Sequence, residues 1–469
     1  MANAGKPPLL VMKFGGTSVG TAERIDSVAR SIAEYARGAR LVVVVSALGG
    51  VTEMLIRAAT AASRGDAEQW RGVGQELGRR HHEAAQLLPC NEQKAIQPLL
   101  DEQWRVFENL CSGFSLVGEV TPRSMDALSS LGEVLSATLV AAALRSRGLA
   151  AEAVDAAHII VTDDHFGNAS PCFEETNART RERLTPLMER GIIPVVTGFR
   201  GATREGVCTT LGRGASDYTA TLVGAALDAD EVWIWTDVDG VMTADPRLVP
   251  GARVLPEISY RETVELSFFG ARVLHAKAVQ PAMKKSIPVW IKNSFHAAHP
   301  GTKIGHTAVG RPGVRAITCV ARASLFTLSG DESLNFARLA ARVFGALSLS
   351  EIPTLMVTQS SAENVICFAV HDADAARVRA QLERALELEM RHEYLDAIEV
   401  MPAVGIVVAL GEKMKGTPGI AGRMFGALGR RGINIIAIAQ GSSELSISLA
   451  VKSADVREAI QAIHEEFQL

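Results

Sequence analysis

Lys13-Phe14-Gly15-Gly16-Thr17-Ser18 follows a short apolar run, Leu9-Leu10-Val11-Met12. One ammonium beside a glycine turn offers a cation and bare backbone N–H groups to the same anion, which suits a phosphate. Glycine has no Cβ, so the main chain can bend tightly and approach a charged ligand. Thr17 or Ser18 is placed to cap a helix carrying Ile25, Val28 and Ile32, and a helix N-terminus itself favours an anion. The order of glycines and lysine is not that of the Walker phosphate loop. An ordinary strand–turn–helix corner with a solvated lysine has the same outline.

Four further segments have site-building chemistry. Ser46-Ala47-Leu48-Gly49-Gly50-Val51-Thr52 follows the apolar run Leu41–Val45, at the carboxyl end of a strand, where parallel sheets bind ligands. Gly132-Glu133-Val134-Leu135-Ser136 sets a carboxylate in an apolar helix, with Asp126 seven residues earlier on the same face. Such a carboxylate is costly to bury unless it meets a cation such as a substrate ammonium. In Leu211-Gly212-Arg213-Gly214-Ala215-Ser216-Asp217-Tyr218, glycines flank an arginine and Ser216 or Asp217 starts a helix. Arg213 is a planar donor suited to a carboxylate or phosphate, and Asp217 can organise a lysine or a metal-bound phosphate. Trp235-Thr236-Asp237-Val238-Asp239-Gly240-Val241 ends another strand, and Thr243-Ala244-Asp245-Pro246-Arg247 follows it. These hydroxyl and carboxylate groups, in turns made by Asp-Gly and Asp-Pro, suit a nucleotide.

Strands are expected at Leu9–Met12, Leu41–Val45, Ile192–Thr197, Glu231–Trp235 and Val289–Ile291, with amphipathic helices such as Ala22–Tyr35 and Tyr218–Leu227 between them. Strands alternating with helices imply an α/β/α sandwich on a mainly parallel sheet. The polar helical stretch from about Gly65 to Asn109 is expected as an insertion at the sheet's edge, solvated and without chemistry. The 469 residues imply more than one domain. A net charge of −4 gives no electrostatic reason to expect nucleic acid and argues against an anionic membrane surface. The N-terminus lacks the features of a signal peptide, and Leu41–Val45, the most apolar run, is too short to span a bilayer. Six dispersed cysteines, without a C-x-x-C pair, indicate neither a zinc site nor a disulfide framework. Reduced thiols in a cytoplasm are the simplest expectation.

Around His296–Val314 periodicity is lost and His, Pro, Gly and Thr mark a linker. Beyond it the chain repeats itself. Arg342-Val343-Phe344-Gly345-Ala346-Leu347 returns as Arg423-Met424-Phe425-Gly426-Ala427-Leu428, and Thr358–Glu363 returns as Ala439–Glu444, at a constant offset of 81. Each copy has the pattern of a ferredoxin-like βαββαβ module, but the second lacks a final strand. The spare run Arg315–Val320 is expected to complete its sheet, so that the first small domain is inserted into the second. The expected domains are 1–300, a linker 301–314, an inserted module 322–403, and a second module of 315–321 plus 404–469. Gln359, Gln440 and Asn434 are candidates for binding a polar effector. The second copy is favoured, because Pro353 stands where the other has Asn434.

Taken in order, Lys-Phe-Gly-Gly-Thr-Ser, Ser-Ala-x-x-Gly-Val-Thr, Gly-Glu-x-x-Ser, Leu-Gly-Arg-Gly-x-Ser-Asp-Tyr, Trp-Thr-Asp-Val-Asp-Gly, Asp-Pro-Arg, Phe-Gly-Ala-x-Val-Leu-His and Ile-Pro-Val resemble the aspartate kinases of the amino-acid kinase family. The tail resembles that family's tandem ACT domains, and Ile438–Glu444 is similar to the threonine-sensitive type, often fused to a homoserine dehydrogenase. As this chain stops before a dehydrogenase, a single-function kinase is expected. The resemblance implies transfer of the ATP γ-phosphoryl, with Mg²⁺, to the β-carboxylate of L-aspartate. It implies that Lys13 and Asp217 are catalytic and that Thr52, Glu133 and Arg213 bind aspartate, with Glu133 on the ammonium and Arg213 on the α-carboxylate. Lys13, Phe14, Gly15, Gly16, Ser216, Thr236, Asp237, Met242, Arg247 and Arg272 would bind ATP, and no resident metal ligand is implied. An amino-acid effector, threonine before lysine, is expected at Gln359, Asn434 and Gln440, with a homodimer or homotetramer built through ACT pairing. Met242 replaces the family's usual Tyr, Arg272 a lysine and Ala276 a proline. The alternatives are another amino-acid kinase, acting on acetylglutamate, carbamate or a nucleoside monophosphate, and a non-catalytic amino-acid sensor.

Overall fold

Runs of Val, Ile and Leu with no polar alternation make strands buried on both faces, and these build the centre of the first unit. In the computed structural model, which describes residues 7–270, 273–307, 313–330, 336–348, 352–360, 365–392 and 394–469, the chain forms two units. The first comprises Met1–Val241, Pro256–Tyr260 and Val273–Thr307, and the second Met242–Leu255, Arg261–Arg272 and Ala308–Leu469.

In chain order the first unit holds β1 (Leu9–Phe14), α1 (Ala22–Tyr35), β2 (Arg40–Val45), α2 (Val51–Ser63), α3 (Ala67–Gln86), α4 (Cys90–Val117), α5 (Pro122–Ser129) and α6 (Leu131–Ser146). Then come β3 (Ala151–Val154), α7 (Phe173–Glu189), β4 (Ile193–Thr197), β5 (Arg200–Ala202), β6 (Cys208–Thr210), α8 (Ala215–Ala226) and β7 (Glu231–Thr236). After β8 (Glu257–Ser259), α9 (Tyr260–Phe268) lies mostly in the second unit, and α10 (Ala276–Lys285), β9 (Val289–Asn293) and β10 (Thr302–Gly305) return to the first. The sheet order is β3-β4-β2-β1-β7-β9-β10-β8, parallel except where β10 meets β9, with β5 and β6 as a separate antiparallel pair. Parallel order sets the carboxyl ends of β1, β2 and β7 side by side.

Three sequence expectations change. Thr17 and Ser18 do not cap α1. The backbone turns through 15–20 first, and Thr21 accepts from the Arg24 N–H. Likewise α8 starts at Ala215, capped by Gly214 in the left-handed region, not at Ser216 or Asp217. The stretch 65–109 is not an addition to the sheet's edge. α3 and α4 pack on α1, α2 and α6 as a second helical layer, burying Trp70, Leu77, Ile96, Leu100, Phe107 and Cys111. Pro122–Ser146, spanning α5 and α6, is apolar and long enough to cross a bilayer by composition, and is mostly buried within the fold.

The second unit contains β11 (Ala316–Gly330), α11 (Phe336–Ser348), β12 (Met356–Ser360), β13 (Val365–His371), α12 (Ala375–Ala385), α13 (Glu387–Arg391), β14 (Leu395–Leu410), α14 (Ile420–Arg430), β15 (Ala437–Gln440), β16 (Ser446–Lys452) and α15 (Val456–Phe467). They form one sheet, β12-β13-β11-β14-β16-β15. β11 and β14 run through both copies. Ala316–Val320 pairs with Ile406–Leu410, beside β16, whereas Ala323–Gly330 pairs with β13 and with the early part of β14. An apolar layer including Leu325, Met356, Ala369, Val404, Ile406 and Ala450 lies between the two halves of this sheet. The edge strands β12 and β15 touch each other as the sheet folds over.

Candidate active site

Lys13, near the end of β1, is buried, and its Nζ lies 2.6 Å from Asp217 Oδ1 in the first turn of α8. Of the two glycines after it, Gly16 is required by proximity. A Cβ on Gly16 would sit 2.8 Å from the Ala47 carbonyl oxygen, and the Gly49 N–H donates to Gly16 O at 3.0 Å. A Cβ on Gly15 would be 3.6 Å from Lys13 Nζ. Neither glycine has a positive φ, so close approach of two loops, and no left-handed turn, explains Gly16, while a Cβ on Gly15 would make only ordinary contacts. Arg80 of α3 clamps the second loop from behind, its Nη2 donating to Gly49 O at 2.8 Å. Ser18 bonds Ser294 through their hydroxyls at 2.6 Å.

Glu133 reaches the same loop. Its Oε1 accepts from the Ala47 N–H at 3.2 Å, while Oε2 is buried with no hydrogen-bond partner among the described residues. Gly132 allows this approach, since a Cβ there would lie 2.7 Å from that of Ala47. Burial pushes the Glu133 carboxyl up to about 8. The Ala47 N–H and the Arg200 guanidinium oppose that rise and Glu53 adds to it. A buried oxygen without a donor fits an incoming cation. Asp126 is different: it accepts from the N–H groups of Gly167 and Thr210, both at 2.9 Å, and from the Thr210 hydroxyl at 2.7 Å. It fastens β6 and the 167 loop and has no part in the Glu133 site.

Arg213 stands exposed between Gly212 and Gly214, which have φ of 83° and 67°. A Cβ on Gly212 would lie 2.7 Å from Asn168 Oδ1, and one on Gly214 2.5 Å from the His275 Cβ. Lys277 Nζ donates to Asn168 at 2.8 Å, closing a brace around this loop. Burial, then Lys277 and Arg213, hold the His275 imidazole below its usual pKa, against the pull of Asp217. Ser216 packs on Gly198, where a Cβ would come within 2.5 Å of its hydroxyl. The next residue, Phe199, has φ of 69°, a strain of roughly 1–3 kcal/mol for a non-glycine residue. Thr52 lies half-buried in the first turn of α2.

Lys13 and Phe14 thus end β1, while Gly15, Gly16, Thr52, Glu133, Arg213, Ser216 and Asp217 sit on loops and helix starts; Gly16 and Glu133 meet at the Ala47–Gly49 loop, and Ser216 meets Gly198. Thr236 and Asp237 end the neighbouring β7, exposed or half-buried, and bond each other at 3.2 Å. Met242 and Arg247 belong to the second unit. There Met242 bridges to Val254, and Arg247 is held by Asp245, with its backbone N–H and guanidinium donating to that carboxylate. Arg272 lies outside the described residues. Gln359, Asn434 and Gln440 are exposed, on or beside β12 and β15. The sequence pattern gave no warning of Arg80, Asn168, Arg200 or Ser294. Phe199 had a local signal, its Gly-Phe pair directly after the β4 run, and His275 closes the Phe-Gly-Ala-x-Val-Leu-His motif, though its bracing role had no signal.

The chain matches the amino acid kinase family over residues 8–293 and the ACT domain over 326–386 and 407–467. It is 33% identical over 466 residues to the bifunctional aspartokinase/homoserine dehydrogenase 1 of Arabidopsis thaliana, covering 98% of this chain and 51% of that one. The chain therefore spans about half the length of that relative. Its fold is similar to E. coli aspartokinase III in complex with aspartate and ADP in the R-state, with a TM-score of 0.84 and 28% identity over 98% of this chain and all of the other. The T-state of that protein with lysine and aspartate gives 0.77 and 29%, over 97% of this chain and 99% of the other.

Proposed function

The chain belongs to the amino acid kinase family and carries paired ACT domains, and from that premise we propose that it phosphorylates the β-carboxylate of L-aspartate, with ATP as donor, to give 4-phospho-L-aspartate and ADP. The observation that carries this reading is the joining of two half-sites by one loop. The Lys13–Asp217 pair lies on one side of Gly15–Gly16, and Glu133, with its unpartnered buried oxygen, reaches Ala47 on the other.

The acceptor carboxylate has an ordinary pKa of about 3.9 and is ionised near neutrality. It needs no general base. One of its oxygens forms the new bond to the γ-phosphorus as the bond to the β,γ-bridging oxygen breaks. The protein's task is alignment and neutralisation of charge spread over the transferring group. Lys13 supplies a fixed cation there, and Asp217, 2.6 Å away, orients that ammonium. Glu133 takes the substrate ammonium and Arg213 the α-carboxylate, which leaves the β-carboxylate facing Lys13. Thr236 and Asp237 serve the nucleotide, together with Ser216. Among the described residues no three metal-ligating side chains converge. Mg²⁺ bound with the nucleotide would supply countercharge to its phosphates. We extend the proposal to feedback by an amino acid at the ACT domains, threonine before lysine, in a cytoplasmic homodimer or homotetramer.

A coupled ADP-release assay with L-aspartate, L-glutamate or no acceptor tests the reaction. ADP is expected with aspartate alone. Lys13→Ala is expected to lower turnover by about 10²–10³-fold, the scale of one lost oxyanion-type donor, while the fold persists by circular dichroism. Turnover within a few-fold of the parent would remove Lys13 from the mechanism.

A further inference from the structure

The helical layer of the first unit contains a cavity of about 500 Å³ between α3 and α4. It lies between two stripes of one-turn spacing, Trp70-Gly74-Gly78 on α3 and Trp104-Glu108-Ser112 on α4. Such a volume is ample for a small organic ligand.

Three observations show that the cavity is more than loose packing. Glycine inside a helix costs about 1 kcal/mol against alanine, and α3 contains three, Gly72, Gly74 and Gly78. Gly74 has a packing reason, because a Cβ there would meet the Phe107 ring at 2.7 Å. Gly78 lines the cavity, yet nothing lies within 4 Å of where its Cβ would be. Its lack of a side chain leaves empty space and supports no neighbour. Second, Trp70 is 5% exposed and lines the cavity, and its indole Nε1 is buried without a partner among the described residues. A buried N–H is normally satisfied. Third, opposite charges face the opening from opposite helices. Arg71 stacks on Trp70 with its guanidinium carbon 5.2 Å from the ring centroid, which leaves the N–H edge of the guanidinium available. Neither it nor Glu108 forms an ion pair among the described residues.

We propose that this cavity binds a free amino acid with an aromatic or large apolar side chain. Arg71 holds the carboxylate, Glu108 the ammonium, and Trp70, Trp104 and Phe107 enclose the side chain. The site is independent of the kinase cleft and of the ACT domains. None of these residues serves the proposed reaction, so its fate and that of the functional reading are separable.

Calorimetric titration of the full chain with L-phenylalanine tests the site, with phenethylamine and 3-phenylpropionate as probes lacking one charge each. Saturable binding is expected, weakened at least tenfold for either analogue. Gly78→Leu, which fills the cavity, is expected to abolish binding and leave aspartate-dependent ADP release unchanged. Arg71→Met and Glu108→Gln, surface changes that keep the fold, are each expected to weaken binding by about tenfold, the worth of one charged hydrogen bond. No heat up to 10 mM L-phenylalanine, equal affinity for the analogues, or binding undiminished in Gly78→Leu would each overturn the assignment.

Discussion

Asp126 within α5 and Glu133 at the start of α6 are both buried carboxylates, seven residues apart in one apolar stretch, and they do opposite things. Asp126 receives three donors and ties distant loops together. Glu133 receives one and keeps an oxygen bare. A carboxylate whose bonds are complete is a fastener. One whose bonds are incomplete, at a cost in solvation, is waiting for a partner. Sequence shows two acidic residues on an apolar helix face, and only the inventory of donors separates them.

The sharpest way to break that contrast is Glu133→Gln. Leaving the substrate ammonium without its counter-charge costs about 3–5 kcal/mol, so the aspartate KM is expected to rise roughly 10²–10³-fold while the ATP KM moves only a few-fold. Equal changes in both would end the division of roles. Asp126→Asn should do the reverse. It leaves a poor acceptor facing buried donors, and a loss of about 1–3 kcal/mol is expected in urea unfolding, with little change in the aspartate KM of the folded enzyme.

A pH series sharpens the contrast further. With its pKa near 8, Glu133 is protonated at neutrality in the ligand-free protein and must lose that proton to pair with an ammonium. Apparent aspartate affinity is therefore expected to rise between pH 6.5 and 8, approaching tenfold per pH unit, and then level off. Glu133→Gln should flatten the profile. The same group affects stability in the opposite sense. Its folded pKa lies above the ordinary 4.5, so the native state binds the extra proton, and the ligand-free fold loses stability from this group as pH rises from about 4.5 through 8. The difference in unfolding free energy between Glu133→Gln and the parent, measured across that range, checks the sign. The smallest effect belongs to Thr210→Val, which removes one of the three Asp126 donors at about 1 kcal/mol.

Much of the first unit was legible because its central strands are solid apolar runs. β1, β2, β4, β7 and β9 follow Leu, Val and Ile, and α1 spans the whole of the amphipathic stretch Ala22–Tyr35. β5 and β6 were not legible, since Arg-Gly-Ala and Cys-Thr-Thr carry no period in three residues. The layer of α3 and α4 was misjudged because Gln, Glu and Arg dominate its composition, although Trp70, Leu77 and Ala84 recur at helical spacing and are buried. At the site, Lys13, Glu133, Arg213 and Asp217 stand out through their glycine neighbours. Their supports do not. Asn168 acts through the loop it presses on, and so does His275, whose motif was visible but whose approach to Gly214 was not; such contacts are a property of three dimensions. The reason for Gly16 was also hidden, as backbone freedom and loop crowding ask for the same residue.

The two strands shared by both small modules have a consequence for how this chain becomes folded. β11 must wait for the far end of β14, so Ala316 finds Leu410 only after more than 90 intervening residues have been made. β14 must in turn wait for β16. Pairings so remote in sequence are slow to close. During synthesis, the apolar layer between the halves of the sheet stays open until residues beyond Ser446 emerge. Neither module can act as a separate folding unit, and a break introduced in β11 or β14 is expected to disable both together.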